Sequence, residues 1–151
     1  MEQFSEKLRS FFDVFGKARK MVLSTSAKDK VSSRMMSVVQ IDGKFYFQTD
    51  KKLRKYRQIS VNQNVALCID NIQIEGVCKE IGSPLDNDVF CNAFSECYKG
   101  SYDAYTSLED ERLFAVEPVF IERWIYFDGV PYIETYDIEV EYYSCNEYSG
   151  V

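Results

Sequence analysis

The sequence predicts a mainly β protein, an antiparallel barrel of six or seven strands with helices at its periphery. Three observations carry this expectation. Side chains alternate with a period of two, most clearly where Val31, Ser33, Met35, Ser37 and Val39 interleave with Ser32, Arg34, Met36, Val38 and Gln40. Asp42-Gly43 and Asp128-Gly129 join such stretches as two-residue hairpins, because a type I′ turn needs the positive φ that glycine tolerates. Few segments carry helical spacing, and a run of antiparallel hairpins with a glycine at each turn closes into a barrel.

The elements follow in order. Residues 3–19 read as an amphipathic helix whose stripe is Phe4, Leu8, Phe11, Phe12 and Phe15, with Gly16 loosening its last turn. This stripe packs on the barrel or, alternatively, on a partner. Met21–Ser26 is the first strand and residues 27–30 a polar turn. The strand from Val31 to Gln40 is followed by Lys44–Thr49, an aromatic return strand. A basic turn and a short helix then lead into Val65–Asp70, which is apolar enough to be buried on both sides. Ile72–Val77 continues the sheet, with Gly76 a candidate bulge and Gln73 and Glu75 solvated.

Gly82-Ser83-Pro84 breaks the sheet. A helix is expected from Leu85 to Tyr98, with Val89, Phe90, Ala93, Phe94 and Cys97 as its apolar stripe. Lys99-Gly100 should end it. Residues 101–111 read as a loop with a short helical turn, in which Tyr102 and Tyr105 are either half-buried or lid residues, the former favoured. Arg112–Phe127 is a long strand broken near Pro118, and Val130–Ile138 returns along it. The acidic, tyrosine-rich tail from Glu139 either frays or packs on a partner subunit.

Composition bounds the function. The 151 residues suit one domain, 1–151, burying about two-thirds of its unfolded surface. No apolar run is long enough for a bilayer, and MEQFSEKLRS has no secretory pattern, so a cytoplasmic protein is expected. Five cysteines (Cys68, Cys78, Cys91, Cys97, Cys145) lack a C-x-x-C pair and there is no histidine. The expectation is therefore no metal, and reduced cysteines acting as small hydrophobes. Without histidine, Ser-His and Cys-His hydrolases are excluded. A net charge of -6 with one short basic patch argues against nucleic acid.

That patch is the feature to explain. Lys51, Lys52, Arg54, Lys55 and Arg57 fall within seven residues of an otherwise acidic chain. Thr49 or Asp50 is placed to cap the following helix, whose free N–H groups would then face a phosphate, with Arg34 reaching the same guest from the neighbouring strand. The alternative is a solvated basic helix face that binds nothing.

Arg34-Met35-Met36, then Gly43-Lys44-Phe45-Tyr46-Phe47-Gln48-Thr49, then Lys55 and Asn62, together resemble the FMN-binding split-barrel family related to pyridoxamine 5′-phosphate oxidase. The similarity runs from about Leu8 to Trp124. It implies a six- to seven-stranded split barrel in which Arg34 and Lys55 bind the FMN phosphate and Thr49 meets it. Lys51 and Lys52 would complete that shell through their N–H groups, and Met35, Met36 and Gln48 would line the flavin ring. The family's Asn-Pro before the fourth strand is Asn62-Gln63 here. The family's basic C-terminal segment is replaced by EVEYYSCNEYSGV, so pyridoxamine phosphate is not the expected substrate.

The resemblance implies a homodimer with the flavin between subunits, where Trp124 or Arg123 of the second chain completes the site. It also implies an FMN-dependent oxidoreductase working with NAD(P)H or a small-molecule substrate, since the flavin carries the hydride chemistry itself. Two alternatives stand beside it. One is a non-catalytic protein storing or sensing flavin or another anionic ligand; haem is disfavoured by the missing histidine, and deazaflavin stays open. The other is an interaction protein whose basic patch docks an acidic partner.

Overall fold

The computed structural model describes residues 2–150. Among them eight strands form one antiparallel sheet. They are β1 Ala18–Ala27, β2 Lys30–Ile41, β3 Lys44–Asp50, β4 Asn64–Ile69, β5 Ile72–Glu80, β6 Glu111–Phe127, β7 Val130–Asp137 and β8 Tyr142–Glu147. Their order is β3-β2-β1-β4-β5-β6-β7-β8, and a further β3–β6 pairing closes the first six into a barrel. The expected barrel is therefore present, with β7 and β8 extending the sheet past the closure. The tail from Glu139 is not frayed over β8, which pairs with β7 from Tyr132↔Glu147 to Asp137↔Tyr142. Its aromatic residues give the strand something to pack: Tyr143 lies edge-on to Tyr136 with ring centroids 4.9 Å apart.

Helix α1 (Glu2–Phe15) lies across the barrel on the predicted stripe, with Phe4, Phe11 and Phe15 buried and Leu8 and Phe12 packed beside them. It stops short of residue 19 because Gly16 adopts φ +91°, the left-handed conformation that ends helices. Asp42-Gly43 (φ 51° and 81°) and Asp128-Gly129 (φ 51° and 80°) are the expected tight turns, and Lys28-Asp29 forms a third with no glycine. Gly76 is a bulge: the β5–β6 register shifts between Glu75 and Gly76. A Cβ there would sit 2.6 Å from Val116 Cγ1 and 2.9 Å from the Glu117 carbonyl oxygen, so the close strand approach requires glycine.

Three expectations are corrected. Strand β4 is not buried on both sides; Val65 and Leu67 point into the core while Cys68 is exposed on the outer face. The helix expected from Leu85 divides into a short 3₁₀ turn (Pro84–Asp86) and α3 (Asp88–Cys97), because Asn87 turns extended and its side chain accepts from the Phe90 N–H to cap α3. Gly100 does not end the helical run: α4 (Lys99–Ser101) and a π turn (Tyr102–Thr106) continue it. Helix α2 is Arg54–Val61. Among the described residues no helix is long and apolar enough to cross a membrane.

The core has two parts. Inside the barrel are Met21, Leu23, Val38, Phe45, Phe47, Leu67, Ile74, Phe114 and Ile121. Outside it, α3 covers Val39 and Leu113 with Phe90, Ala93 and Phe94. Alternation along β3 divides between the two: Phe45, Phe47 and Thr49 point inward, and Tyr46, Gln48 and Asp50 point outward. That division decides which residues of the basic region can meet.

Candidate functional site

Arg34 lies across from Leu23 in the β1–β2 ladder and so turns inward, at the barrel mouth beneath α2. Its Nη1 donates to the Leu23 carbonyl oxygen at 3.1 Å and to Thr25 Oγ1 at 2.8 Å, and its Nη2 donates to Gln58 Oε1 at 3.1 Å. Thr25 and Gln58 are buried and bonded to each other at 2.7 Å. The guanidinium is thus fixed in orientation by neutral oxygens, which leave its charge uncompensated.

Lys55 comes from the first turn of α2 and is half-buried. Burial, then the charge of Arg34, holds its ammonium below the ordinary lysine value, and Glu111 and Asp50 oppose that shift. Arg34 is likewise lowered, first by burial and then by Arg54. Among the described residues, no carboxylate stands within ion-pairing distance of Arg34, Arg54 or Lys55. Three cations without a paired carboxylate make this part of the molecule locally positive.

Thr49 ends β3 with its side chain on the inward face and is 3% exposed. Its Oγ1 is the one buried side-chain polar atom among the described residues that has no hydrogen-bond partner. A buried hydroxyl without a partner is costly, about 1–3 kcal/mol, unless something else supplies the bond. The donor types fit a phosphate: the cations Arg34, Arg54 and Lys55, and a buried hydroxyl at the end of β3, where the chain turns toward α2.

The other expected site residues distribute differently. Lys52 pairs with Asp110 at 3.2 Å and Asp50 at 3.7 Å, and Lys51 with Asp110 at 3.4 Å. These pairs anchor the β3–α2 turn to the start of β6, and Lys52 in turn holds the Asp110 carboxyl below its ordinary value. Neither Thr49 nor Asp50 caps α2. The N-cap is Leu53, without a side-chain bond, because the Asp50 carboxylate accepts from the Lys52 N–H at 2.7 Å inside the turn. Met36 points inward and packs on the core; Met35 is 62% exposed on the outer face, across from Val22. Gln48 is buried on the outward face of β3, where its Oε1 accepts from Thr106 at 2.9 Å. Arg123 bonds the buried Glu134, while Trp124 lies edge-on to Tyr148 at 5.0 Å.

Glu111 is the residue that sequence reasoning missed. It opens β6 directly opposite Asp50 and is 5% exposed. Burial, then the neighbouring Asp50 charge, raises its carboxyl to about 7, with Lys55 and Gln48 opposing. An open cleft of about 1100 Å³ lies between α1, the β2–β3 turn and α3, but it shares no lining residue with the cation site. Its charges come in both signs, Arg9, Lys17 and Lys44 against Asp13, Asp42 and Glu117, so its lining favours neither sign of ligand.

The comparisons bear on the family and the fold. The family model described as pyridoxamine 5′-phosphate oxidase matches residues 4–125. General Stress Protein 26 from Bacillus anthracis is similar with a TM-score of 0.58 and 22% identity, over 80% of this chain and 92% of that one. A pyridoxamine 5′-phosphate oxidase-related, FMN-binding protein from Nostoc punctiforme gives 0.61 and 12%, over 98% and 94%. The haem storage protein HutZ from Vibrio cholerae gives 0.57 and 17%, over 78% and 89%. At these identities the likeness is one of fold. A search of curated proteins finds no match.

Proposed function

The chain belongs to the pyridoxamine 5′-phosphate oxidase family, and from that premise we propose that it is an FMN-dependent oxidoreductase whose cofactor phosphate is held by Arg34, Lys55 and Thr49. The observation that carries the reading is the cluster of Arg34, Arg54 and Lys55, which no carboxylate pairs among the described residues, together with the unpartnered Thr49 hydroxyl buried at the end of β3, just before the turn into α2. A phosphate would satisfy the hydroxyl and neutralise the cations together. Bound FMN would supply the hydride chemistry, so the chain's own task is to bind, orient and shield it.

In this reading Arg34 arrives oriented, because Leu23, Thr25 and Gln58 already fix its plane. Lys51 and Lys52 act indirectly: their bridges to Asp110 hold the turn that carries α2 and Lys55. A second copy of the chain belongs to the proposal. The outer face of β2, β1 and β4 exposes Val31, Met35 and Cys68, an apolar strip suited to a self-complementary contact. Of the two residues expected from the partner, Trp124 is the one whose polar head is not already committed; Arg123 is held by Glu134.

The groups assigned to the site suit an anion, and among the described residues no base is hydrogen-bonded to the Thr49 hydroxyl to activate it. The same arrangement would also serve a carrier without turnover, and one structural neighbour is named a haem storage protein. Two measurements test these readings. The visible spectrum of the purified protein, after FMN addition and desalting, should retain flavin, and Arg34→Ala with Lys55→Ala should lose it with the far-UV spectrum unchanged. Retention by the double variant would overturn the assignment. Bleaching of bound flavin by NADH or NADPH supports the oxidoreductase; flavin that binds and stays oxidised with both supports the carrier.

A further inference from the structure

Lys55 links two clusters that the strand alternation keeps on opposite faces of β3. On one side it meets the charge of Arg34, which in turn meets that of Arg54. On the outward side it faces Glu111 and Asp50. Glu111 is buried where β3 and β6 close the barrel, directly across from Asp50. The groups facing it are Asp50 and Gln48 from β3 and Lys55 from α2; Thr106, from the π turn, reaches it only through Gln48. On its own strand, Arg112 is turned to the backbone carbonyls of Glu109 and Glu111, and Asp110 is occupied by Lys51 and Lys52. No cation is paired with the Glu111 carboxyl among the described residues.

We propose that Glu111 is the residue that sets the net charge of the phosphate site, and hence the pH range over which a phosphomonoester dianion is held there; this rests on the phosphate reading given above. The charge count makes the argument. With Glu111 protonated, Arg34, Arg54 and Lys55 face no unbridged carboxylate, because Asp50 is bridged by Lys52, and the surplus of positive charge suits a dianion. With Glu111 ionised that surplus is smaller by one. The carboxyl titrates near neutrality because it is buried beside a like charge. A phosphomonoester gains its second charge near pH 6. Affinity therefore rises with pH through the phosphate's ionisation and falls again as Glu111 ionises. By linkage, the bound dianion holds the Glu111 proton more tightly. A one-unit rise in the Glu111 value corresponds to a tenfold loss of affinity across the upper arm.

The test is FMN affinity, followed by flavin fluorescence quenching from pH 5.5 to 8.5, in the wild type and in Glu111→Gln. The wild type should bind most tightly between about pH 6 and 7 and weaken about tenfold by pH 8.5. Glu111→Gln should keep the rising arm and lose the falling one. Asp50→Asn should move the fall to lower pH, since it removes the like charge that raises Glu111. Carboxyl NMR titration of the wild-type protein gives a reading that does not depend on a variant folding: the Glu111 midpoint should rise by about one unit when FMN is added. FMN binding with the same pH profile in wild type and Glu111→Gln, or a Glu111 midpoint unmoved by FMN, overturns this inference alone. No FMN binding to either protein at any pH overturns the phosphate reading, and the inference falls with it.

Discussion

Glu111 and Asp50 stand directly opposite one another where β3 and β6 close the barrel, two carboxyls on one face with Glu111 buried. Burial, then the charge of Asp50, raises the Glu111 carboxyl to about 7 against an ordinary 4.5. Between those two values the folded protein holds a proton that the unfolded chain has released. Stability is therefore greatest below about pH 4.5 as far as this group is concerned, and its contribution is lost as pH rises through 7. Urea unfolding should give a stability that declines by about 2 kcal/mol from pH 5 to pH 8, against a flatter profile for Glu111→Gln. Equal slopes would show that Glu111 ionises normally in the folded state.

Thr49 offers a separation of stability from binding. Its buried hydroxyl has no partner within the chain. Replacing an unsatisfied buried hydroxyl with a methyl of the same shape removes a desolvation cost, so Thr49→Val should stabilise the ligand-free protein by about 1 kcal/mol. The same change removes a donor to the phosphate and should weaken FMN about tenfold, the worth of one hydrogen bond to a charged group. Thermal denaturation without ligand and an FMN titration check the two halves. A variant that is less stable would mean that the hydroxyl is satisfied in the folded protein.

The sheet beyond the barrel depends on one buried carboxylate. Glu134 on β7 accepts from Arg123 of β6 and, at 2.6 Å, from Tyr143 of β8. Arg123 also lies over the Phe11 ring and Lys7 over the Tyr143 ring, so the cluster ties α1 to three strands. Burial, then the bond to Glu134, holds the Tyr143 phenol above its ordinary range. Glu134→Ala should cost about 3 kcal/mol in urea unfolding, because it leaves a partly buried guanidinium unpaired. Hydrogen exchange should locate the added opening in β8. A loss below about 0.5 kcal/mol would reduce the cluster to the level of a surface ion pair.

What could be read from the chain alone follows from the range of each interaction. The tight turns at Asp42-Gly43 and Asp128-Gly129, the stripe of α1 and the bulge at Gly76 are local, and period and turn chemistry suffice for them. The proposed phosphate ligands Arg34, Thr49 and Lys55 follow from the family resemblance that the ordered set from Arg34 to Asn62 carries. Which of the basic residues have carboxylate partners was not legible. Lys51 and Lys52 read the same as Lys55 until Asp110, some sixty residues on, is folded beside them. Asp50 looked like a helix cap and instead caps the turn before the helix, a choice decided by two or three residues of backbone path. Glu111 gave no signal, since its burial exists only because β6 pairs with β3 and closes the barrel. The strand β8 was obscured by an acidic composition that its tyrosines outweigh through packing on β7 and α1.

The central claim is that the phosphate, held by Arg34, Lys55 and Thr49, is what fastens the flavin. Comparing FMN with riboflavin isolates that group, because the two differ by the phosphate alone. Fluorescence titration of the wild-type protein should give FMN an affinity at least a hundredfold above that of riboflavin, with the difference collapsing to within about threefold in Arg34→Ala with Lys55→Ala. Equal affinity for the two flavins in the wild type would contradict the account.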